Sequence, residues 1–79
     1  MNDKIRARLR RLLPNLSGIN LRKARKLWLQ LGGTCHKGKM DGEEYYLHPQ
    51  FPNVYKCGRD KSCPRELSKR LRFLITMVI

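Results

Sequence analysis

The hydrophobic period of this sequence changes twice along the chain, at Gly32 and Gly33 and again near Pro64. Before the two glycines and after the proline, apolar residues recur every three to four positions, which is the period of one face of an α-helix. Between these points the helical period disappears, and Tyr, Val and Thr occur among Gly and Pro, a composition typical of short strands. Helical segments on both sides of a strand region predict an α+β fold. With only 79 residues, the chain has room for a single domain.

Residues that start or stop helices mark the three helical segments. Asn2 or Asp3 can cap the first helix, which Pro14 ends, and Asn20 can cap the second, which the glycine pair ends. Pro64 suits the first turn of the third helix. We therefore expect an N-terminal helical extension in residues 1–19 and a core in residues 20–79, with helices over residues 3–13, 21–31 and 64–78.

Three strands are expected in the central region, over Thr34–Lys37, Glu43–His48 and Asn53–Cys57. The first two are joined across Lys39, Met40, Asp41 and Gly42, a stretch typical of a hairpin turn. The predicted order of elements is therefore helix, helix, three-stranded antiparallel sheet, helix.

The charge of the chain limits its partners. Eighteen Lys and Arg residues against six Asp and Glu give a net charge of +12, although 41% of residues are hydrophobic. A folded domain this basic repels itself, and binding to a polyanion is the common reason for such a charge. Nucleic acid is the first candidate, because an anionic membrane surface would need one long amphipathic helix and no predicted helix is long enough. No segment has the apolar length of a secretory signal or a membrane span, so we expect a cytoplasmic protein that does not bind membranes.

From about Leu21 to Ile75 the sequence resembles the HicA family of small messenger-RNA-cleaving toxins. The similarity lies in a helix ending at LGG, the stretch EEYYLHP after a turn, a strand containing NVYKC and the final helix CPRELSKRLRFLI. The resemblance implies a double-stranded-RNA-binding-like fold, α-β-β-β-α, to which the N-terminal helix is added. It also implies a metal-free ribonuclease that uses no cofactor, acts through one histidine and is neutralised by a small acidic antitoxin partner.

A histidine is missing from the position at which that family keeps its catalytic one. Counting back from LHP, the position falls near Gly42, and His36 is the nearby substitute. Histidine titrates nearest to neutral pH, so His36 could take the 2′-hydroxyl proton or protonate the leaving oxygen. Lys37 or Lys39 could then neutralise the charge that develops on the phosphate. The alternative is that His36 is a surface residue of the hairpin.

Lys and Arg lie on the outer faces of all three predicted helices, and the first two helices have almost no acidic residues at the pairing distance of four positions. This asymmetry favours contact with a phosphate backbone over an ordinary solvated face. Because such contacts carry little sequence information, we expect recognition by shape, with RNA preferred to DNA. The predicted contact residues are Lys37, Lys39, Arg59, Lys61, Arg65, Lys69, Arg70, Arg22 and Arg25.

Two alternatives concern the strand region. Cys35, His48, Cys57 and Cys63 could bind zinc, although the five residues between the last two cysteines exceed the usual spacing, and buried free thiols are the other interpretation. Of the three tyrosines, Tyr45, Tyr46 and Tyr55, the last two could face outward and stack on bases, or could pack in the core.

Two other functions remain open. The first two helices could form a DNA-binding helix-turn-helix, although their turn, Pro14–Gly18, is longer than three or four residues and few side chains could read base edges. The uncharged tail Phe73–Ile79 could belong to the core, join two copies in a homodimer, or dock on another protein of a ribonucleoprotein assembly.

Overall fold

A computed structural model describes residues 2–39, 42–58 and 63–79 and confirms the predicted α+β fold and order of elements. Met40 and Asp41 of the predicted hairpin turn, and residues 59–62, lie outside the described residues. The elements are α1 (Asp3–Leu12), a 3₁₀ helix (Leu13–Gly18), α2 (Leu21–Gln30), β1 (Thr34–Lys37), β2 (Glu43–His48), β3 (Phe51–Gly58) and α3 (Arg65–Val78).

Helices α1 and α2 begin where their caps predict. The side chain of Asn2 accepts a hydrogen bond from the backbone N–H of Ile5 at 2.9 Å, and that of Asn20 accepts one from Lys23 at 2.8 Å. Each asparagine satisfies an N–H that has no partner within its helix. The predicted turn between the helices is a 3₁₀ helix, which Pro14 suits because its fixed φ and missing N–H are tolerated in a first turn.

The sheet has the order β1-β2-β3 and is antiparallel throughout. Strands β1 and β2 have the predicted bounds, whereas β3 begins at Phe51, two residues earlier than predicted. Strand β3 includes Pro52 because β3 is an edge strand, where a residue without an N–H is tolerated. The register is irregular between Tyr46 and His48, which turns His48 toward Phe51.

The helices cover one face of the sheet, and Trp28 of α2 is the centre of the contact. Its side chain is fully buried, and its Nε1–H donates to the carbonyl oxygens of Thr34 and Leu47, each at 3.0 Å. The indole also packs edge-on against Tyr46 and lies nearly parallel to Phe51. One side chain therefore joins a helix to all three strands.

Helix α3 supplies most of the remaining core through Leu67, Leu71, Leu74 and Ile75. Its apolar tail divides between core and surface, since Phe73 is 50% exposed and Met77 55% exposed. Among the described residues, no helix is both long and apolar enough to cross a bilayer.

Candidate nucleic-acid interface

The described carboxylates are all neutralised within the molecule. Their ion pairs are Arg6 with Asp3 at 3.7 Å, Lys56 with Glu43 at 2.9 Å, Arg25 with Glu44 at 2.6 Å and Arg70 with Glu66 at 3.6 Å. Two of the 18 cationic residues lie outside the described part, so twelve described Lys and Arg side chains have no described Asp or Glu carboxylate within 4.0 Å, and one of these, Arg10, donates instead to the carbonyl oxygen of Ile79 at 3.4 Å. The excess charge is therefore carried by side chains that are free to meet an external anion.

Four of these cations line one groove between α1 and α2. Lys4, Arg8 and Arg11 stand at positions i, i+4 and i+7 of α1, which places them on one face, and Lys23 of α2 lines the same groove. All four are exposed. The groove has a volume of about 660 Å³, and no carboxylate occurs among its described lining residues, which are otherwise Ala7 and Leu12.

The groove concentrates positive charge along a line. At a rise of 1.5 Å per residue, Lys4 and Arg11 are separated by about 10.5 Å along the axis of α1. Like charges at this spacing on a helix cost stability, about 0.2–0.5 kcal/mol per neighbouring pair. Lys23 also borders a second hollow at the start of α2, where the helix dipole adds positive potential. A row of phosphates would relieve this repulsion.

None of the four groove cations was among the predicted phosphate contacts, and the nine residues that were predicted divide into three groups. Five of them, Arg22, Lys37, Lys39, Arg65 and Lys69, are exposed and have no carboxylate within 4.0 Å among the described residues. Arg59 and Lys61 lie outside the described residues. The last two, Arg25 and Arg70, are bound by the protein itself.

Arg25 neutralises a buried carboxylate. Its Nη2 lies 2.6 Å from Oε2 of Glu44, a side chain that is only 5% exposed, whereas Arg25 itself is 38% exposed. The Tyr46 hydroxyl and Glu44 raise the pKa of Arg25, although the hydroxyl does not reach hydrogen-bonding geometry with it. A phosphate would have to compete with Glu44 for this guanidinium.

Arg70 contacts and stabilises the start of β3. Its Nη1 donates to the carbonyl oxygen of Asn53 at 2.8 Å, and its guanidinium lies over the rings of Phe51 at 4.9 Å and Tyr55 at 5.6 Å. The side chain is 15% exposed. Its position in a stripe of exposed cations on α3 predicted a surface role, but the aromatic side chains of β3 enclose it.

His36 is exposed on the edge strand β1. It pairs with Tyr45, whereas Lys37 pairs with Glu44, and successive strand residues point to opposite faces of a sheet. His36 and Lys37 therefore do not converge on one phosphate. Lys39, exposed just beyond the strand, is the remaining candidate for that role among the described residues.

The predicted zinc ligands do not come together. His48 lies 2.8 Å from the carbonyl oxygen of Leu31, and no group of three His, Cys, Asp or Glu residues able to hold a metal occurs in residues 2–39, 42–58 and 63–79. Burial raises the pKa of Cys57 to about 11 and also raises those of Cys35 and Cys63. All three cysteines are free thiols, and the interpretation as buried free thiols is confirmed in full for Cys63, whereas Cys35 and Cys57 are half-buried.

The tyrosines do not form an exposed stacking platform. Tyr46 is fully buried and Tyr55 lies on the same inward face, its ring 6.4 Å from that of Tyr46, so of the two alternatives the structure confirms packing in the core. Tyr45 is on the open face, where its hydroxyl donates to Glu43 at 3.3 Å and Lys56 lies 6.0 Å from its ring centre. Alternation along β2 separates Tyr45 from Tyr46, because Glu44 and Tyr46 share the face that α2 covers, and Tyr55 of β3 lies on that face as the cross-strand partner of Tyr46.

The groove was not predicted from the sequence, in which the cations of α1 are spread over the helix face opposite its apolar residues. The i, i+4, i+7 spacing of Lys4, Arg8 and Arg11 was available as a signal, but the packing of α1 beside the start of α2 was not. Comparison of the chain with protein-family models, with curated proteins and with solved structures finds no match.

Proposed function

We propose that this protein binds the phosphate backbone of nucleic acid, with RNA as the preferred target. The observation that carries the proposal is the groove between α1 and α2, in which Lys4, Arg8, Arg11 and Lys23 meet without a carboxylate among the described lining residues. Phosphate contacts supply most of the non-specific affinity of nucleic-acid-binding proteins. They need rows of cations, and they do not need side chains that contact base edges.

An anionic membrane surface fits the same charge less well. Interfacial helices insert an apolar face beside their basic one. The apolar residues of α1 are already used, since Leu9 is 1% exposed and Ile5, Leu12 and Leu13 pack against the core. Helix α1 therefore exposes cations but has no free apolar face that could insert into a membrane surface.

The connection between α1 and α2 favours RNA over sequence-specific DNA binding. Residues 13–20 separate the two helices, and six of them form a 3₁₀ helix. A helix-turn-helix joins its helices by three or four residues, which sets the recognition helix against the major groove. Binding by shape and backbone requires no such geometry.

Cleavage of RNA is the alternative that the family resemblance suggests, and it depends on His36. The exposure of this side chain leaves it open to a substrate, and Lys39 is the nearby exposed cation. A small acidic antitoxin-like protein would compete with RNA for the same cations. RNA-binding assays run with and without such an acidic protein as competitor would therefore distinguish the two partners.

Both functions can be tested with the purified protein and labelled structured RNA, single-stranded RNA and duplex DNA, each with and without a metal chelator. Mobility shift and product size are followed together. Salt-sensitive retention of intact RNA is the expected result. Fragments that persist in chelator and disappear in His36→Ala would establish a metal-free ribonuclease, and no retention of any nucleic acid at low salt would contradict the proposal.

A further inference from the structure

A notch on the side of α3 combines aromatic surface with charge. It lies between α3 and the start of β3, has a volume of about 280 Å³, and is lined by Phe51, Pro52, Asn53, Glu66, Lys69, Arg70 and Phe73. Pockets that enclose a drug-sized ligand run from about 300 to 1,000 Å³. The notch is therefore suited to one planar ring rather than to a larger molecule.

Phe73 presents a ring that is already fixed in place. It is 50% exposed, and its inner side rests on Phe51, with ring centres 5.6 Å apart and planes inclined by 58°. Phe51 in turn lies 6.0 Å from Trp28, with the two planes only 14° apart. Because this series of rings ends in the buried centre of the fold, stacking on Phe73 costs little further loss of side-chain freedom.

The polar groups beside this ring match the remainder of a nucleotide. Lys69 lies one helical turn before Phe73, on the same side of α3, and has no carboxylate within 4.0 Å among the described residues. Oε1 of Glu66 lies 3.6 Å from Nε of Arg70, and because the Glu66 side chain is 51% exposed its carboxylate can also accept a hydrogen bond from an exocyclic amino group. A flat ring carrying amino groups and joined to a phosphate satisfies all three side chains.

We infer that this notch binds an unpaired nucleobase, which stacks on Phe73 while its phosphate contacts Lys69. The inference deepens the proposed function, on which it rests, because it adds a preference for single-stranded segments. A base within a duplex is stacked on both faces and cannot reach the notch, whereas unpaired bases commonly stack on aromatic side chains.

The test compares two RNA strands of equal length, one with bases and one with abasic riboses, so that the number of phosphates is the same. Wild-type protein should bind the base-bearing strand about 5- to 150-fold more tightly, the range that stacking of one base gives. Phe73→Ala should remove most of this preference and leave the affinity for the abasic strand unchanged. Phe73→Leu, which keeps an apolar contact with Phe51, should do the same if Phe73→Ala unfolds.

Met77→Ala is the matched control, because Met77 is one turn further along α3 and similarly exposed at 55%. It should retain the preference for bases. If wild type and both Phe73 variants show the same ratio of affinities, the inference is overturned while backbone binding stands. If wild type binds neither strand, the proposed function fails, and the inference fails with it.

Discussion

At the scale of single residues, the cationic side chains near the sheet are of two kinds, those bound within the protein and those exposed to solvent. Arg25 and Arg70 are held by Glu44, Glu66 and aromatic rings, whereas Arg22 and Lys69, close to them in sequence, are exposed. Position in the sequence does not separate the two kinds of cation. What separates them is whether a strand residue opposite the helix is a carboxylate or an aromatic ring, which depends on the packing of helices on the sheet.

Loss of the guanidinium at position 25 should therefore destabilise the fold. Arg25→Ala leaves Glu44 buried without its cation, and removing one partner of a fully buried pair costs about 3–5 kcal/mol. Because Arg25 is 38% exposed and water screens the pair, we expect a loss nearer about 2 kcal/mol. Urea denaturation measures it, with Arg22→Ala as the control on the same helix. Equal midpoints for the two variants would show that the pair does not hold the fold.

The half-buried thiol of Cys57 should make stability fall at alkaline pH. Burial raises its pKa from 9.0 to about 11, so the folded state keeps a proton that the unfolded chain releases. The resulting stabilisation is complete below pH 9 and is lost as the pH rises toward 11. In denaturation curves across this range, Cys57→Ala should lose stability less steeply than wild type. Parallel slopes would contradict the assignment.

At the scale of elements, Trp28 and Gly33 depend on each other. Gly33 lies three residues after the end of α2, and its N–H donates to the carbonyl oxygen of Trp28 at 2.9 Å. A methyl group at position 33 would lie 2.6 Å from Cδ1 of Trp28 and displace the indole from its hydrogen bonds to Thr34 and Leu47. The glycine beyond the end of the helix makes room for the side chain that fixes the sheet.

Gly33→Ala should cost about 1–3 kcal/mol, the usual effect of overpacking a core. Gly18→Ala is the control, because a methyl group there meets no atom within 4 Å. Thermal unfolding followed by the fluorescence of Trp28, the single tryptophan, reports both stability and the environment of the indole. A Gly33→Ala protein with unchanged midpoint and emission would show that the ring can move without loss.

Local chemistry predicted the elements better than it predicted the site. Asn2 and Asn20 cap their helices, and β1 and β2 begin and end as expected, because caps and alternation act between near neighbours in sequence. The fate of Tyr46 depended on which face of β2 the helices cover. The groove depended on how α1 packs beside α2, and neither arrangement is encoded within one segment.

At the scale of the whole molecule, the net charge of +12 is not distributed evenly. The described carboxylates are used within the fold, and four cations that they leave unpaired converge on one groove. Solubility alone does not require like charges to be aligned on one face of α1. The arrangement is explained if a polyanion occupies the groove.

The salt dependence of binding tests this account most directly. Affinity for a single-stranded RNA is measured by fluorescence anisotropy over a range of salt concentrations, for wild type, for Arg8→Gln/Arg11→Gln, and for the control Lys26→Gln/Arg72→Gln. The control removes the same charge from exposed cations that do not line the groove. Each lost phosphate contact reduces the slope of log affinity against log salt by about 0.7, so the groove variant should be shallower by about 1.4 and the control nearly unchanged. Equal slopes for the two double variants would contradict the claim that the groove holds the backbone.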